Sequence, residues 1–394
     1  MINENQLKEL YERSISTLEN NQITWNNKIY QTAGLYQFHS IWTRDVAHCT
    51  LALMQLGYES IVRNNIELYL KYVKNGIGPK GFDTMNIEKR VIIQSIRNLF
   101  NLKKKNIKFN TSSKLKTIYK DSRRSVAIDS NLLVILSIFD CDYSIINKNY
   151  DVIISMIKYY DKFIVDGLIY QNNYSDWQDS QKRKGASFLT NLMYWEVIKR
   201  FIMYDFDIYS IEYLNNLENL IKYKFYDNEN GLFKTMEKLN NISLDGNLLA
   251  IRWKFVKDNE ALKLWYNLKK HPLWNNKLGP GYTTYPNYPS SYTTYQVKIA
   301  NLKNYHNSLY WSWLMALSAE ISYIMNDMKE GDKIACRLWK IIRRDIYVGE
   351  IYNNNDEYSL YHTILYRSEC PFSWGAAYII NMIEVRKTKK ILNK

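Results

Sequence analysis

Six short clusters of polar and aromatic residues are spread along this chain of 394 residues. Each lies just before an apolar segment: WTRD at 42–45, AIDS at 127–130, WQDS at 177–180, LDGN at 244–247, YHNS at 305–308 and PFSW at 371–374. Cleaving a glycosidic bond without a metal or cofactor needs one carboxylic acid for the leaving oxygen and one carboxylate for water or the sugar. It also needs aromatic platforms for the sugar and polar groups for its hydroxyls. The clusters supply all of these groups.

The spacing of the clusters predicts which elements position them. Apolar residues recur mostly at helical intervals, and strand-like alternation is rare. Successive clusters are roughly 50 to 85 residues apart, about the length of two helices and their connections. We therefore predict an all-α fold, an (α/α)6 barrel whose six inner helices present their N-termini and the clusters at one end. About twelve or thirteen helices of 12 to 20 residues are expected, with strand-like pieces near 165–174 and 346–353.

Composition favours one globular domain over residues 1–394, because 46% of the residues are hydrophobic and no Pro/Gly/Ser-rich linker interrupts the chain. The first thirty residues hold no apolar run of signal-peptide type, and no segment reaches the ~18 apolar residues of a spanning helix. We expect a soluble cytoplasmic protein without a membrane partner. The cysteines lie far apart and form no C-x-x-C pair, which favours free thiols and no metal site: Cys49, Cys141, Cys336 and Cys370.

The formal charge of +14 raises the question of nucleic-acid binding, but the lysines are dispersed along the chain. The one dense basic stretch runs from 103 to 124, and its charges do not alternate with stacking aromatics. We expect a mobile, solvated surface loop between two helices there, and no nucleic-acid partner. No Gly-rich phosphate cradle is present either, so no cofactor is expected.

In order and spacing, the clusters resemble motifs of the six-hairpin glycosidases, a superfamily that includes glucoamylases, glycogen-debranching amylo-α-1,6-glucosidases and alkaline/neutral invertases. Segment 38–45 (FHSIWTRD) looks like the W-x-R-D motif with which glucoamylases grip the terminal glucose. Segment 125–132 (SVAIDSNL) is similar to V-D-[SA]-x-L of invertases and debranching enzymes, and 305–314 (YHNSLYWSWL) looks like the debranching-type Y-H-R-G-x-V-W-P-W-L. The resemblance covers about residues 35 to 385 and implies a toroid that hydrolyses glycosides.

The resemblance also implies two catalytic carboxylates. Segment 177–179 (WQD) resembles W-M-D of debranching enzymes, in which the Asp is the general acid, and 185–190 is similar to G-S-S-F-F-T of glucoamylases. Segment 349–352 (GEIY) resembles both S-E-Q-Y of glucoamylases and P-E-Y-Y of invertases. Asp179 is therefore expected to be the acid and Glu350 the base of an inverting, exo-acting enzyme that releases glucose from an α-glucoside or α-glucan.

Contacts to the sugar are expected from residues of the same motifs, with Arg44 and Asp45 holding hydroxyls of the terminal sugar. The full set is Trp42, Arg44, Asp45, Asp129, Trp177, Gln178, Asp245, His306, Trp311 and Trp374. Asp176 is either a partner of Asp179 or an exposed loop residue.

Three other functions remain open at this stage. A neutral invertase acting on sucrose is supported by the segment around Asp129, and an inactive carbohydrate-binding toroid would keep the pocket without turnover. A sugar epimerase would need a pair of catalytic histidines, of which only His306 lies in a cluster. The expected partner is an oligosaccharide or glucan, and the oligomeric state stays open.

Overall fold

The computed structural model describes residues 2–110, 112–120, 123–355 and 358–392, and for residues 87 and 88 it describes the backbone alone. Sixteen α-helices make up the framework of this described part. In chain order they are α1 (Glu4–Asn20), α2 (Thr43–His48), α3 (Thr50–Gln55), α4 (Glu59–Lys71), α5 (Ile87–Leu99), α6 (Ser130–Cys141), α7 (Ser144–Lys148), α8 (Tyr150–Lys158), α9 (Phe188–Met203), α10 (Ile211–Phe225), α11 (Leu244–Arg252), α12 (Asp258–Lys270), α13 (Tyr295–Ile299), α14 (Ser312–Ile324), α15 (Met328–Asp345) and α16 (Ser373–Leu392).

The helices form two rings. The inner ring closes on itself, because neighbours contact one another in the order α2/α3, α6, α9, α11, α14, α16 and back to α2/α3. Each inner member packs against an outer helix, and the outer helices are α1, α4, α8, α10, α12 and α15. This is the predicted (α/α)6 barrel.

Hydrophobic patterning explains which helices lie inside. Residues 130–139 of α6 and 312–323 of α14 are buried without interruption, as expected of helices that are apolar on every side. Outer helices such as α10 and α15 bury one face only and expose charged side chains on the other.

Short antiparallel strands lie at one end of the rings. They are β1 (Gln22–Trp25), β2 (Lys28–Gln31), β3 (Ile41–Trp42), β4 (Gly81–Asp83), β5 (Lys116–Ile118), β6 (Ile164–Val165), β7 (Leu168–Gln171), β8 (Gly185–Ala186), β9 (Tyr226–Asp227), β10 (Leu232–Phe233), β11 (Ile242–Ser243), β12 (Thr284–Tyr285), β13 (Tyr310–Trp311) and β14 (Ile351–Tyr352). The order β3-β4-β5 and the order β6-β7-β8 form three-stranded sheets, and the remaining strands form two-stranded ladders. The strand-like pieces expected near 165–174 and 346–353 correspond to β6 with β7 and to β14.

Two expectations about local structure need correction. The predicted count of about twelve or thirteen helices is lower than the sixteen described. The prediction missed helices of only five or six residues, which are α2, α3, α7 and α13. The basic stretch from 103 to 124 does lie between two helices, α5 and α6, but it also contains β5, which pairs with β4. Residues 111, 121 and 122 of the stretch fall outside the described part.

All four cysteines have free thiols. Among the described residues, no helix combines the length and apolarity needed to cross a bilayer.

Candidate active site

Each inner helix begins at the same end of the barrel, directly after a short antiparallel contact. Strands β3, β8, β11 and β13 precede α2, α9, α11 and α14. Isolated bridges, Lys120 with Val126 and Gly34 with Phe372, precede α6 and α16. These contacts fix the chain just where the six clusters occur, so their side chains converge on the barrel end.

A cavity with an empty volume of about 560 Å³ opens at this end. Nine of the twelve predicted site residues line it: Trp42, Arg44, Asp45, Trp177, Asp179, His306, Trp311, Glu350 and Trp374. The other lining residues are Phe38, Lys80, Tyr305 and Phe372. Asp45 and Glu350, which are far apart in sequence, both line the cavity.

Three predicted sugar contacts lie behind the cavity wall instead. Asp129 is buried and pairs with Arg44, its Oδ2 accepting from Nε at 2.7 Å and its Oδ1 from Nη2 at 3.0 Å. Asp245 accepts from the indole N–H of Trp177 and, at 3.1 Å, from Nε2 of Gln178. The Gln178 amide oxygen accepts a hydrogen bond from the Tyr288 hydroxyl at 2.9 Å. Asp129, Gln178 and Asp245 therefore position the residues that line the cavity.

Glu350 is buried in the cavity floor beside β14. Its carboxylate accepts hydrogen bonds from the hydroxyls of Tyr305 and Tyr366 and, at 3.2 Å, from the backbone N–H of Glu369. Burial raises the pKa of Glu350 to about 7, and the three donors offset only part of that effect. Near neutral pH this carboxyl group is poised between its two protonation states.

Asp179 occupies a different electrostatic environment. Its Oδ2 lies 3.6 Å from Nη1 of Arg44 and 3.8 Å from Nζ of Lys80, and its backbone carbonyl accepts from Arg123 at 2.6 Å. Burial raises the pKa of Asp179, but the cations Lys80 and Arg44 outweigh it and hold the pKa below its ordinary value. Its side chain is 30% exposed to the cavity. The basic stretch thus reaches the site through Arg123.

Asp45 lies in the first turn of α2 and also faces the cavity. Burial raises its pKa to about 7, although Arg44 favours the ionised form. Three carboxyl groups and two basic side chains therefore line this cavity.

Aromatic rings form the remaining wall. The Trp177 ring meets Trp311 and Trp374 edge to face, at centroid distances of 5.3 and 5.9 Å. His306 stacks parallel to Trp311, with centroids 5.3 Å apart, and its Nδ1 is 2.7 Å from the Ser180 hydroxyl. Burial lowers the pKa of His306 to about 3, so the ring is neutral.

Asp176 is a partner of buried groups and does not line the cavity. Its Oδ2 pairs with Arg183 at 2.5 Å and accepts from Nε2 of Gln171 at 2.9 Å. Its Oδ1 accepts from the backbone N–H of Gln178 at 3.1 Å, which supports the turn that carries Asp179.

The sequence clusters did not identify Lys80 or Tyr366. Lys80 precedes β4, and Tyr366 lies in the connection between β14 and α16. Neither belongs to a turn that begins an inner helix. Tyr305, in contrast, stands inside the fifth cluster, so its position already indicated it.

Comparison with known proteins gives the same architecture. No protein family model matches the sequence, and no curated protein is detectably similar to it. A rhamnosidase from Klebsiella oxytoca with rhamnose bound superposes with a TM-score of 0.66 and 10% identity, over 98% of this chain and 65% of that one. A bacterial glucoamylase complexed with acarbose gives 0.62 and 13%, over 98% and 56%. A variant glycosidase in complex with glucose gives 0.64 and 9%, over 98% and 99%.

The chain thus spans less than two thirds of the rhamnosidase and glucoamylase chains but nearly all of the glycosidase chain. Its fold is an (α/α)6 toroid, the fold that these glycosidases also have. The predicted fold class is confirmed, and the resemblance to six-hairpin glycosidases is confirmed at the level of the fold.

Proposed function

We propose that this chain is a glycoside hydrolase that releases glucose from the end of an α-glucoside or α-glucan, with Asp179 as general acid and Glu350 as general base. The observation that carries the proposal is that these two carboxylates, from distant loops, face one cavity in opposite electrostatic environments. Pairs of carboxyl groups whose pKa values are pushed apart are typical of acid and base roles, and the assignment of the acid role to Asp179 follows the resemblance of segment 177–179 to W-M-D. Residues 1–394 would form one cytoplasmic catalytic domain that uses no cofactor.

The reaction would be a single displacement. Glu350 takes a proton from a water molecule as that water attacks the anomeric carbon, and Asp179 gives a proton to the departing glycosidic oxygen. Inversion requires room for the water, so the carboxyl groups of the substrate complex are expected ~6.5–9.5 Å apart. Proton NMR of the first anomer released tests the stereochemistry.

Sugar recognition would use the groups that remain around the pair. Arg44 and Lys80 can donate to hydroxyls, and Asp45 can accept from them. Trp42, the only partly exposed tryptophan among the predicted contacts, offers an indole face to a pyranose ring. A bound sugar that accepts hydrogen bonds from Arg44 and Lys80 would weaken their electrostatic attraction for the Asp179 carboxylate. The pKa of Asp179 would therefore be higher in the complex than in the free protein.

The protonation states of the free cavity favour a second assignment of roles. Near neutral pH, Glu350 retains a proton part of the time and Asp179 is ionised. Glu350 would then be the acid and Asp179 the base. The two assignments differ in which variant retains activity on substrates with a good leaving group, because such substrates need no acid.

One panel of substrates tests the function itself. The protein is incubated with maltose, isomaltose, sucrose, trehalose, a limit dextrin and an aryl α-L-rhamnoside, and free glucose, reducing sugar and the released phenol are measured. Glucose from maltose or the dextrin supports the proposal. Cleavage of sucrose alone indicates an invertase, and cleavage of the rhamnoside alone indicates a rhamnosidase. Binding without release from any member indicates an inactive carbohydrate-binding toroid.

A further inference from the structure

Helix α5 is amphipathic, but its polar face is buried and its apolar face is exposed. Its buried face is polar, with Arg90, Gln94 and Asn98 spaced four residues apart and all nearly inaccessible. Its opposite face carries Ile92 and Ile96, which are 56% and 51% exposed. A surface helix normally buries its apolar stripe, so this orientation leaves apolar area in contact with water.

Specific contacts hold α5 in this orientation. Arg90 pairs with both oxygens of Asp83, at 2.7 and 3.0 Å, and donates to the backbone carbonyl of Ile107. The amide of Gln94 bonds to the backbone of Lys105. The outward apolar face is therefore fixed by a buried polar network.

Further exposed apolar side chains continue the surface. Leu99, Phe100 and Leu102 are 52%, 68% and 46% exposed at the end of α5. Asn98 donates to the carbonyl of Leu365 at 3.2 Å, which ties this end to the segment carrying Ile364, itself 72% exposed.

The same segment joins α5 to α13. The Thr363 hydroxyl donates to the carbonyl of Ala300 at 2.8 Å, next to Ile299, whose side chain is exposed. Arg367 donates to the carbonyl of Leu102 at 3.0 Å. We call six exposed apolar side chains of these three segments the apolar rim: Ile92, Ile96, Leu99, Phe100, Ile299 and Ile364.

The segments that carry the apolar rim hold an excess of basic residues. Segments 89–110, 289–305 and 358–368 contain no Asp or Glu, yet they carry numerous lysines and arginines. The side chains of Lys103, Lys105, Lys108 and Lys298 are exposed. Apolar side chains that protrude among basic ones match a bilayer with anionic headgroups, which accepts the apolar groups at its acyl boundary and attracts the cations.

We infer that the apolar rim binds an anionic lipid bilayer peripherally. This departs from the expectation of no membrane partner, and it does not depend on the reaction performed in the cavity. The rim is connected to the active-site end of the barrel, because the Leu365 carbonyl accepts a hydrogen bond from Asn98 of α5 and the next residue, Tyr366, donates to Glu350. Docking would hold the active-site end close to the membrane surface.

Vesicle co-sedimentation of the full chain tests this inference. The probes are phosphatidylcholine vesicles with and without phosphatidylserine, at low and high salt. We expect binding at least about tenfold tighter to the anionic vesicles, and weaker at high salt. Replacing Ile92, Ile96 and Phe100 together by Ser should weaken it by about tenfold or more, and Lys103→Glu with Lys105→Glu should also weaken it.

The matched control replaces three equally exposed apolar residues of the barrel wall, Met203, Ile211 and Leu262, by Ser. Circular dichroism confirms that each variant is folded, and vesicle binding by the control should equal that of the unmodified chain. Equal binding to neutral and anionic vesicles, no binding, or undiminished binding of the rim variant would overturn the inference. So would a concentration-dependent dimer that the rim variant abolishes in the absence of vesicle binding, because a second copy would then cover the rim.

Discussion

Asp129 holds both Nε and Nη2 of Arg44, at 2.7 and 3.0 Å, from behind the cavity wall. This pairing leaves Nη1 of Arg44 free to point forward, 3.6 Å from Oδ2 of Asp179. A residue that does not line the cavity therefore positions one of the cations that lower the pKa of Asp179, a predicted catalytic group.

Removing Asp129 should cost stability. The Asp129→Ala variant leaves a largely buried guanidinium without its bidentate partner, and such losses destabilise by about 3–5 kcal/mol. Urea unfolding measures the loss. Glu67→Ala, which breaks the exposed ion pair with Lys28, is the control and should change the free energy of unfolding by less than about 1 kcal/mol. Equal losses in the two variants would mean that the Arg44 pairing is dispensable.

The tyrosine hydroxyls that donate to Glu350 should affect the pH dependence of activity. Tyr305 and Tyr366 stabilise the ionised carboxylate, so Tyr366→Phe should raise the pKa of Glu350 further above about 7. If Glu350 is the base, the rising limb of the kcat/KM profile moves to higher pH. If it is the acid, the falling limb moves instead. Tyr323→Phe, which removes a bond to the distant Asp332, is the control, and an unmoved profile in Tyr366→Phe would show that Glu350 governs neither limb.

Burial of Glu350 should make the protein less stable at high pH. Its pKa is raised from 4.5 to about 7 on folding, so the folded state binds the proton more tightly than the unfolded state. The associated stabilisation is present below about pH 4.5 and is lost as pH rises through about 7.

Glu350→Gln has no charge to bury. It should match the unmodified chain near pH 4.5 and exceed its free energy of unfolding by on the order of 3 kcal/mol above pH 7. Urea unfolding at both pH values tests this, with the exposed Glu67→Gln as control. A variant less stable than the unmodified chain above pH 7 would contradict the buried, proton-binding environment.

Lys80 should matter through charge. Lys80→Met removes a cation 3.8 Å from Asp179, which should raise the pKa of that carboxyl group and move the limb of the pH profile that it controls to higher pH. The exposed Lys28→Met is the control. A changed KM with an unmoved profile would assign Lys80 to sugar binding alone.

Sequence spacing predicted the barrel and the end at which its site lies, because an apolar helix following a polar cluster identifies an inner helix and its N-terminus. Spacing does not report how deep a side chain lies. Asp129 and Asp45 each stand at the start of an inner helix, yet Asp45 faces the cavity and Asp129 pairs behind it. That difference depends on the rotation of each helix and on the partner its side chain finds.

Residues from the connections between helices could not be predicted in the same way. Lys80 and Tyr366 reach the cavity through turns and strand contacts whose geometry has no helical period. The reversed polarity of α5 was hidden for a related reason. Its pattern reads as an ordinary amphipathic helix, and only the buried pairing of Arg90 with Asp83 reveals which face points outward.

Asp179 and Glu350 are proposed to be the catalytic pair, with Asp179 as the acid. The direct measurement is turnover of maltose and of α-glucosyl fluoride by Asp179→Asn, Glu350→Gln and Asp176→Asn, with folding checked by circular dichroism. Asp179→Asn should lose about 10²–10⁴ in rate on maltose but retain much of its activity on the fluoride, which needs no acid. Glu350→Gln should turn over both substrates poorly. Fluoride rescue of Glu350→Gln would reverse the two roles. Wild-type activity of Asp179→Asn on maltose, with Asp176→Asn folded but inactive, would contradict the account.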